Sequence, residues 1–178
     1  LFAMLITGVL SFLIGAVALR LRQDIFSLVT FGFGEAIRAA LNISVKLTGG
    51  ATGLLGVPIK ITFPIVVVSL AVAIAVAATL KNSNFGRRSL AIRDNELAAE
   101  TLGVAAYHHK LTAFVIGSLF AAFAGCLYVF YTSYVEPSMF GWLKSAEWII
   151  MVFFGGRGSI TGAVLSSLVL LSLPELLR

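Results

Sequence analysis

Long uncharged stretches alternate with short charged ones along this chain. Residues 1–19, 61–80 and 111–135 contain no charged side chain over 19, 20 and 25 positions, respectively. About 20 apolar residues cross a bilayer as a helix, and a helix satisfies its own backbone hydrogen bonds where no water is present. The pattern therefore predicts three membrane-spanning helices.

Two further apolar stretches are interrupted. Residues 25–45 are long enough to cross a bilayer but carry Glu35 and Arg38, and residues 148–173 are broken by the sequence GGRGS. Each piece beside that break is too short to span at helical rise. The second stretch is therefore one interrupted span or two short helices joined by a structural glycine turn, whose residues are Gly155, Gly156, Arg157 and Gly158.

The composition agrees with a membrane protein. The chain is 59% hydrophobic and 12% charged, with a mean hydropathy of +1.01, whereas a soluble domain is about 25% charged. We expect an all-α fold, a polytopic transmembrane helix bundle forming a single domain over residues 1–178.

Basic residues set the expected orientation. Residues 81–110 form the longest polar segment and the one richest in Lys and Arg, and basic loops stay in the cytoplasm. Counting crossings from there places Arg20 and Arg22 inside as well. The segments 46–60 and 136–147 are then predicted to lie outside.

Two polar features fall on or beside the predicted spans. Glu35 and Arg38 are three residues apart and share a helix face, so they either line a translocation path or form a structural ion pair. The glycine-rich loop at 47–58 lacks the Gly-Lys-Ser/Thr ending of a phosphate-binding loop. It is a tight outer turn or a re-entrant cap near the path, with Thr48, Gly49 and Gly50 as candidate lining residues.

Enzyme chemistry has little support in this sequence. His108 and His109 are adjacent, but no Cys, Asp or Glu stands at metal-ligand spacing from them. No nucleophile with a neighbouring base occurs in any loop. We expect no catalytic residue, no metal, no cofactor bound by this chain and no nucleic-acid partner.

Small residues recur at four-residue spacing in two places, and such spacing lets membrane helices approach closely. The first set is Gly117, Ala121 and Gly125, and the second is Gly158, Gly162 and Ser166. The contact that they predict lies within the chain or between subunits.

The charged segment LAIRDNELAAETLGV predicts a short helix between two spans. Asp94 is a favourable N-cap, Glu96 suits the first turn, and Gly103 suits the position just after the helix. An apolar edge is expected from Leu97, Ala98, Ala99 and Leu102. About two turns are too short to be stable alone, so the helix either docks a partner or caps the bundle.

The same segment resembles the cytoplasmic loop of permease subunits of branched-chain amino acid ABC transporters, of the LivM type. Other matching pieces are RLRQDIFSLVTFGFGEAIR, LTGGATGLLGVP, YVEPSMFG, FFGGRGSITGAVL and LPELLR. They occur in the family's order and cover most of residues 20–178.

The resemblance implies a multi-pass subunit of the bacterial inner membrane, truncated here at both ends. Its partners would be two ABC ATPase subunits, a second permease subunit, a periplasmic substrate-binding protein and the lipid bilayer. ATP and Mg would be bound by the ATPases, so this chain would not be an enzyme. The coupling residues that the resemblance implies are Arg93, Asp94, Glu96, Glu100, Leu102 and Gly103.

The expected function is thus translocation of branched-chain amino acids by alternating access. Urea or short amides are an alternative cargo, because such permeases look alike. A stand-alone secondary transporter or channel, with Glu35 and Arg38 as an ion relay, belongs to another class. A membrane scaffold without a transport role is a further alternative.

Overall fold

The computed structural model describes residues 2–21, 23–56, 58, 61–156 and 158–176. Helices dominate this part of the chain, apart from one pair of two-residue strands. In chain order the helices are α1 (Phe2–Ala18), α2 (Gln23–Ile43), α3 (Val45–Thr48), α4 (Phe63–Asn82), α5 (Asn84–Asp94), α6 (Glu96–Thr101), α7 (Ala106–Thr132), α8 (Trp142–Phe154) and α9 (Ile160–Leu176).

All three uncharged stretches form helices, as predicted. Two of these helices, α4 with 20 residues and α7 with 27, are long and apolar enough to cross a membrane. The most apolar window of each is not buried at all within the chain. An apolar helix with its side chains on the surface is not the core helix of a soluble domain, and it suits a lipid environment. The helix α1 and residues Ile160–Pro174 are shorter apolar helices.

Backbone packing divides the chain into two compact units, Leu1–Ala36 with Leu54–Val135, and Ile37–Gly53 with Glu136–Arg178. In the first unit, α1 and α7 pack antiparallel, because Gly8 lies near Leu119 whereas Gly15 lies against Leu111 and Phe114. A side chain at Gly15 would come within 2.9 Å of both neighbours. Small residues on α1 therefore let the two helices approach closely.

The strands of the first unit pair part of the segment 46–60, predicted to lie outside, with the last residues of the uncharged stretch 111–135, just before the other predicted outer segment. Strand β1 (Leu54–Leu55) runs antiparallel to β2 (Tyr134–Val135), with Leu54 opposite Val135. Ser133, in the left-handed conformation at φ 58°, ends α7 just before β2. The pairing thus gives the backbone of both loops hydrogen-bond partners near the end of α7.

The second unit contains a helical hairpin that glycine permits. A Cβ atom built at Gly162 would overlap the carbonyl group of Gly155, and one at Gly155 would overlap the backbone of Gly162. One turn further along α9, the buried Ser166 donates a hydrogen bond of 2.6 Å to the carbonyl of Met151 on α8. The second apolar stretch thus forms two helices, α8 and α9.

The two predicted small-residue sets behave differently. Gly162 and Ser166 lie in the α8–α9 contact, which confirms close packing within the chain. A Cβ atom at Gly117 or Gly125 would meet nothing within 4 Å, so among the described residues neither glycine allows the close approach of another helix. Spacing alone does not reveal which face of a helix meets a neighbour.

We expect Gly162→Ala to destabilise the protein by about 1–3 kcal/mol, because the new methyl group would push against backbone atoms that cannot turn aside. Gly117→Ala is the matched control. It places the same methyl group in open space and should be neutral or slightly stabilising, since Gly weakens a helix interior. Thermal unfolding of the purified protein in detergent would measure both, and equal unfolding temperatures would contradict this account of the hairpin.

Candidate functional site

The charged segment that follows α4 folds into two helices, α5 and α6. Ser83 breaks the chain direction in an extended conformation, and its side chain accepts a hydrogen bond of 3.2 Å from the N–H of Phe85. A side chain at the buried Gly86 would overlap the carbonyl of Lys81. This glycine therefore permits a turn from α4 into α5, a helix that sequence reasoning did not anticipate.

The prediction that Asp94 caps the short helix is wrong. Asp94 is the last residue of α5. The N-cap of α6 is Asn95, whose side-chain oxygen accepts a hydrogen bond of 3.1 Å from the N–H of Ala98. The N–H of Asn95 also closes α5 on the carbonyl of Ala91. Asp and Asn cap equally well, so only the length of α5 decides between these neighbours. The Asp94 carboxylate instead pairs with Arg93 at 3.1 Å, and both are exposed.

The end of α6 follows the prediction for Gly103. This glycine adopts a left-handed conformation at φ 84°, and its N–H donates a hydrogen bond of 2.9 Å to the carbonyl of Glu100. The N–H of Val104 donates a hydrogen bond of 3.1 Å to the carbonyl of Ala99. These two bonds form a Schellman motif, which fixes where the chain leaves α6 and enters α7.

The inner side of α6 packs on its own unit. Ile92, Ala99 and Ala106 form a buried apolar cluster, and Val104 packs against it. Each of α5, α6 and α7 contributes one of the three cluster residues. The cluster supplies the tertiary support that a helix of six residues needs.

The predicted apolar edge of α6 is therefore divided. Ala99 is buried, whereas Leu97 is 76% exposed and Leu102 is 83% exposed. Glu100 is also exposed. For brevity we call these three exposed residues of α6 and its C-cap, Leu97, Glu100 and Leu102, the docking face, a name that refers to their exposure alone. Leu97 was assigned to the apolar edge because helical spacing does not say which side meets the body of the protein.

Three contacts join this segment to the first turns of α7. Lys110 forms an ion pair of 2.5 Å with Glu96, the first residue of α6. Ser89 on α5 lies 2.8 Å from Nε2 of His109. The ring of Phe85 lies 4.3 Å from the ring of His109, between centroids, at 34°. Glu96, one of the predicted coupling residues, is thus linked directly to α7, and α5 is linked to it through His109.

The same turn of α7 also contacts α1. The hydroxyl of Tyr107 donates a hydrogen bond of 2.9 Å to the carbonyl of Ala16. The guanidinium of Arg20 lies 5.8 Å from the centroid of the Tyr107 ring. Arg20 and the basic segment at 81–110 therefore lie at the same end of the α1–α7 pair. This is the arrangement that the charge distribution predicts.

The candidate path residues lie on α2, at the end of α3 and in the turn that follows α3. Glu35 and Arg38 lie one turn apart on α2, and both are half-buried. Thr48 ends α3, and its hydroxyl lies within hydrogen-bond distance of the carbonyls of Leu41 and Ser44, between which its one proton is shared. Gly49 and Gly50 follow in left-handed conformations, at φ 71° and 64°.

The glycine turn separates α8 from α9. Gly155 caps α8, and Gly156 and Gly158 are left-handed at φ 90° and 86°. Arg157 lies outside the described residues. In the described part of the chain, no three side chains of His, Cys, Asp or Glu form a group able to hold a metal ion.

Comparison with known proteins gives a consistent family. The family model described as the branched-chain amino acid transport system permease component matches residues 1–178. The chain is 30% identical to the high-affinity branched-chain amino acid transport system permease protein LivM of Salmonella typhimurium and to that of Escherichia coli, over 98% of this chain and 49% of each relative. It is 27% identical to the autoinducer 2 import system permease protein LsrC of Yersinia pseudotuberculosis, over 99% of this chain and 53% of the relative. The chain thus spans about half the length of these relatives. No solved structure gives a significant match.

We expect Asn95→Ala to weaken α6 by about 1 kcal/mol, because the N–H of Ala98 would lose its acceptor. Asn95→Asp is the matched control, since a carboxylate accepts the same bond. Hydrogen–deuterium exchange of residues 96–101 would report the difference. Identical exchange in the two variants would mean that this cap does not hold α6.

Proposed function

Because the chain belongs to the family of branched-chain amino acid transport system permease components, we propose that it is the membrane subunit of an ATP-driven importer of branched-chain amino acids. The family match over residues 1–178 carries this proposal. The chain would work as one domain of a multi-pass permease in the bacterial inner membrane. It would act with a second permease, two ATPases and a periplasmic binding protein.

The docking face on α6 is the proposed contact with an ATPase. Two leucines exposed by more than three-quarters on a helix of six residues are costly to leave in water. Glu100 is exposed on the same helix and carries a charge that a basic partner residue would match. Asp94, paired with Arg93, lies just before the cap of α6 and is also exposed. The ATPases would bind the ATP and Mg, and this chain would hydrolyse nothing.

The proposed mechanism is alternating access. When the ATPases close on ATP, they would displace α6, and its contacts with α7 would carry that movement into the membrane. Glu35, Arg38 and the turn at Thr48, Gly49 and Gly50 are proposed to lie near the path. The contacts of the Thr48 hydroxyl with Leu41, near the end of α2, and with Ser44, the cap of α3, suit a turn that keeps its shape while helices move.

The cargo is proposed from the relatives' names. The LivM proteins are branched-chain amino acid permeases, and LsrC serves autoinducer 2 import. LivM has the higher identity, which favours amino acids over autoinducer 2. Urea and short amides remain a candidate cargo for the same machinery.

Uptake by the reconstituted transporter tests the class and the cargo. We expect ATP-dependent accumulation of labelled leucine in proteoliposomes, abolished when the ATPases are omitted. Uptake that persists without the ATPases under a proton gradient would overturn the proposal in favour of a secondary transporter. In the same assay, full transport by the double variant Glu35→Arg with Arg38→Glu would make those residues a structural pair instead of path residues.

We expect Glu100→Arg to reduce ATPase co-purification roughly tenfold or more, because like charges placed together at an interface cost several kcal/mol. Glu147→Arg is the matched control. It makes the same substitution on α8, where Glu147 pairs with Lys144 at 2.6 Å. The membrane content of both variants should equal that of the wild type. Normal co-purification and transport with Glu100→Arg would refute the docking face.

A further inference from the structure

We infer that His109 is the joint through which movement of α5 and α6 enters α7. This inference rests on the proposed function, since it supposes that an ATPase pulls on α6. His109 would be a positioning residue that touches neither cargo nor nucleotide. The observations that carry it are its two side-chain contacts with α5 and its place in the first turn of α7.

The contacts of His109 restrict its ring in two ways. Nε2 lies 2.8 Å from the hydroxyl of Ser89, and the face of the ring lies against Phe85. Ser89 also lies 3.1 Å from the carbonyl of Phe85 and can donate its proton there. Ser89 has one hydroxyl proton, so in that arrangement Nε2–H of His109 donates to Ser89. The hydrogen bond fixes the ring's edge and the stacking fixes its plane.

The other links to α7 suit a joint less well. In the ion pair of Glu96 with Lys110, the Glu96 side chain is 47% exposed and the Lys110 side chain is 38% exposed. Exposed ion pairs are weak and are screened by salt. Two of the three residues in the apolar cluster are alanines, Ala99 and Ala106. Ser89, Phe85 and His109 are half-buried. Their contact thus contains no exposed residue and brings together larger side chains than the two alanines do.

The position of His109 makes small movements effective. It lies in the first turn of α7, a continuous helix of 27 residues, which is about 40 Å long at 1.5 Å per residue. Tyr107, two residues earlier, holds the same end of α7 to α1. A displacement of α5 would thus turn α7 about a point fixed on α1 and be carried along its length.

The neighbouring His108 provides a natural comparison. Its side chain is exposed, and its ring stands edge-on to Tyr107 at 5.3 Å. Both histidines belong to the same turn and have the same chemistry. They differ in that His109 is the one bonded to Ser89.

The test measures amino acid imported per ATP hydrolysed by the intact transporter in proteoliposomes. We expect His109→Phe, which keeps an aromatic ring but loses the hydrogen bond, to lower this ratio several-fold. ATPase co-purification and the thermal unfolding temperature should stay at wild-type values, which a purely structural role would not predict. His108→Phe should keep the wild-type ratio. An unchanged ratio with His109→Phe would overturn the inference.

Ser89→Ala provides a second route should His109→Phe impair folding. It removes the same hydrogen bond from the other side and leaves the ring of His109 in place. We expect the same decrease in amino acid imported per ATP hydrolysed, and no further decrease in the double variant with His109→Phe. Independent, additive losses would overturn the inference. Failure of the wild-type complex to bind ATPases would instead overturn the proposed function, so the two failures are distinguishable.

Discussion

The first turn of α7 holds the charged end of the first unit together. Tyr107 bonds to the backbone of α1, His109 to Ser89 on α5, and Lys110 to Glu96 on α6. Ala106, at the start of that turn, lies in the apolar cluster. Four of the first five residues of this helix therefore contact the elements around it, and α5 and α6 take their positions from this turn.

The exposure of Leu97 and Leu102 follows from that arrangement. A helix of six residues cannot persist by its own hydrogen bonds, and here Asn95 and the Schellman motif at Gly103 satisfy its ends. The buried side of α6 is one alanine, which leaves Leu97 and Leu102 exposed. Stability is thus supplied by the caps and by the small cluster, and the large apolar side chains remain available for a partner.

Close backbone approach is the second constraint on the structure. Lipid offers little hydrophobic driving force between helices, so packing relies on small residues. Gly15 lets α7 pack closely against α1, and Gly162 does the same for α8 against α9. Gly86 leaves room for the turn from α4 to α5. In each case a methyl group would meet atoms of a neighbouring helix or turn, so the sequence tolerates little else there.

The sequence by itself determined that this is a helical membrane protein, and its charge distribution correctly predicted that Arg20 and residues 81–110 share an end. Both properties come from composition and periodicity, which are local. The glycine at 103 was also predictable, since a left-handed residue is needed wherever such a helix ends. The resemblance of several segments identified the family.

Only the tertiary structure decided which faces meet. It moved the cap from Asp94 to Asn95, because α5 extends to Asp94 and the next residue must be extended. It packed Gly162 but left Gly117 open, although their spacing is alike. It also gave His109 and His108 different surroundings. These differences depend on where each element ends and how it packs against its neighbours, and the spacing of residue types alone does not encode that.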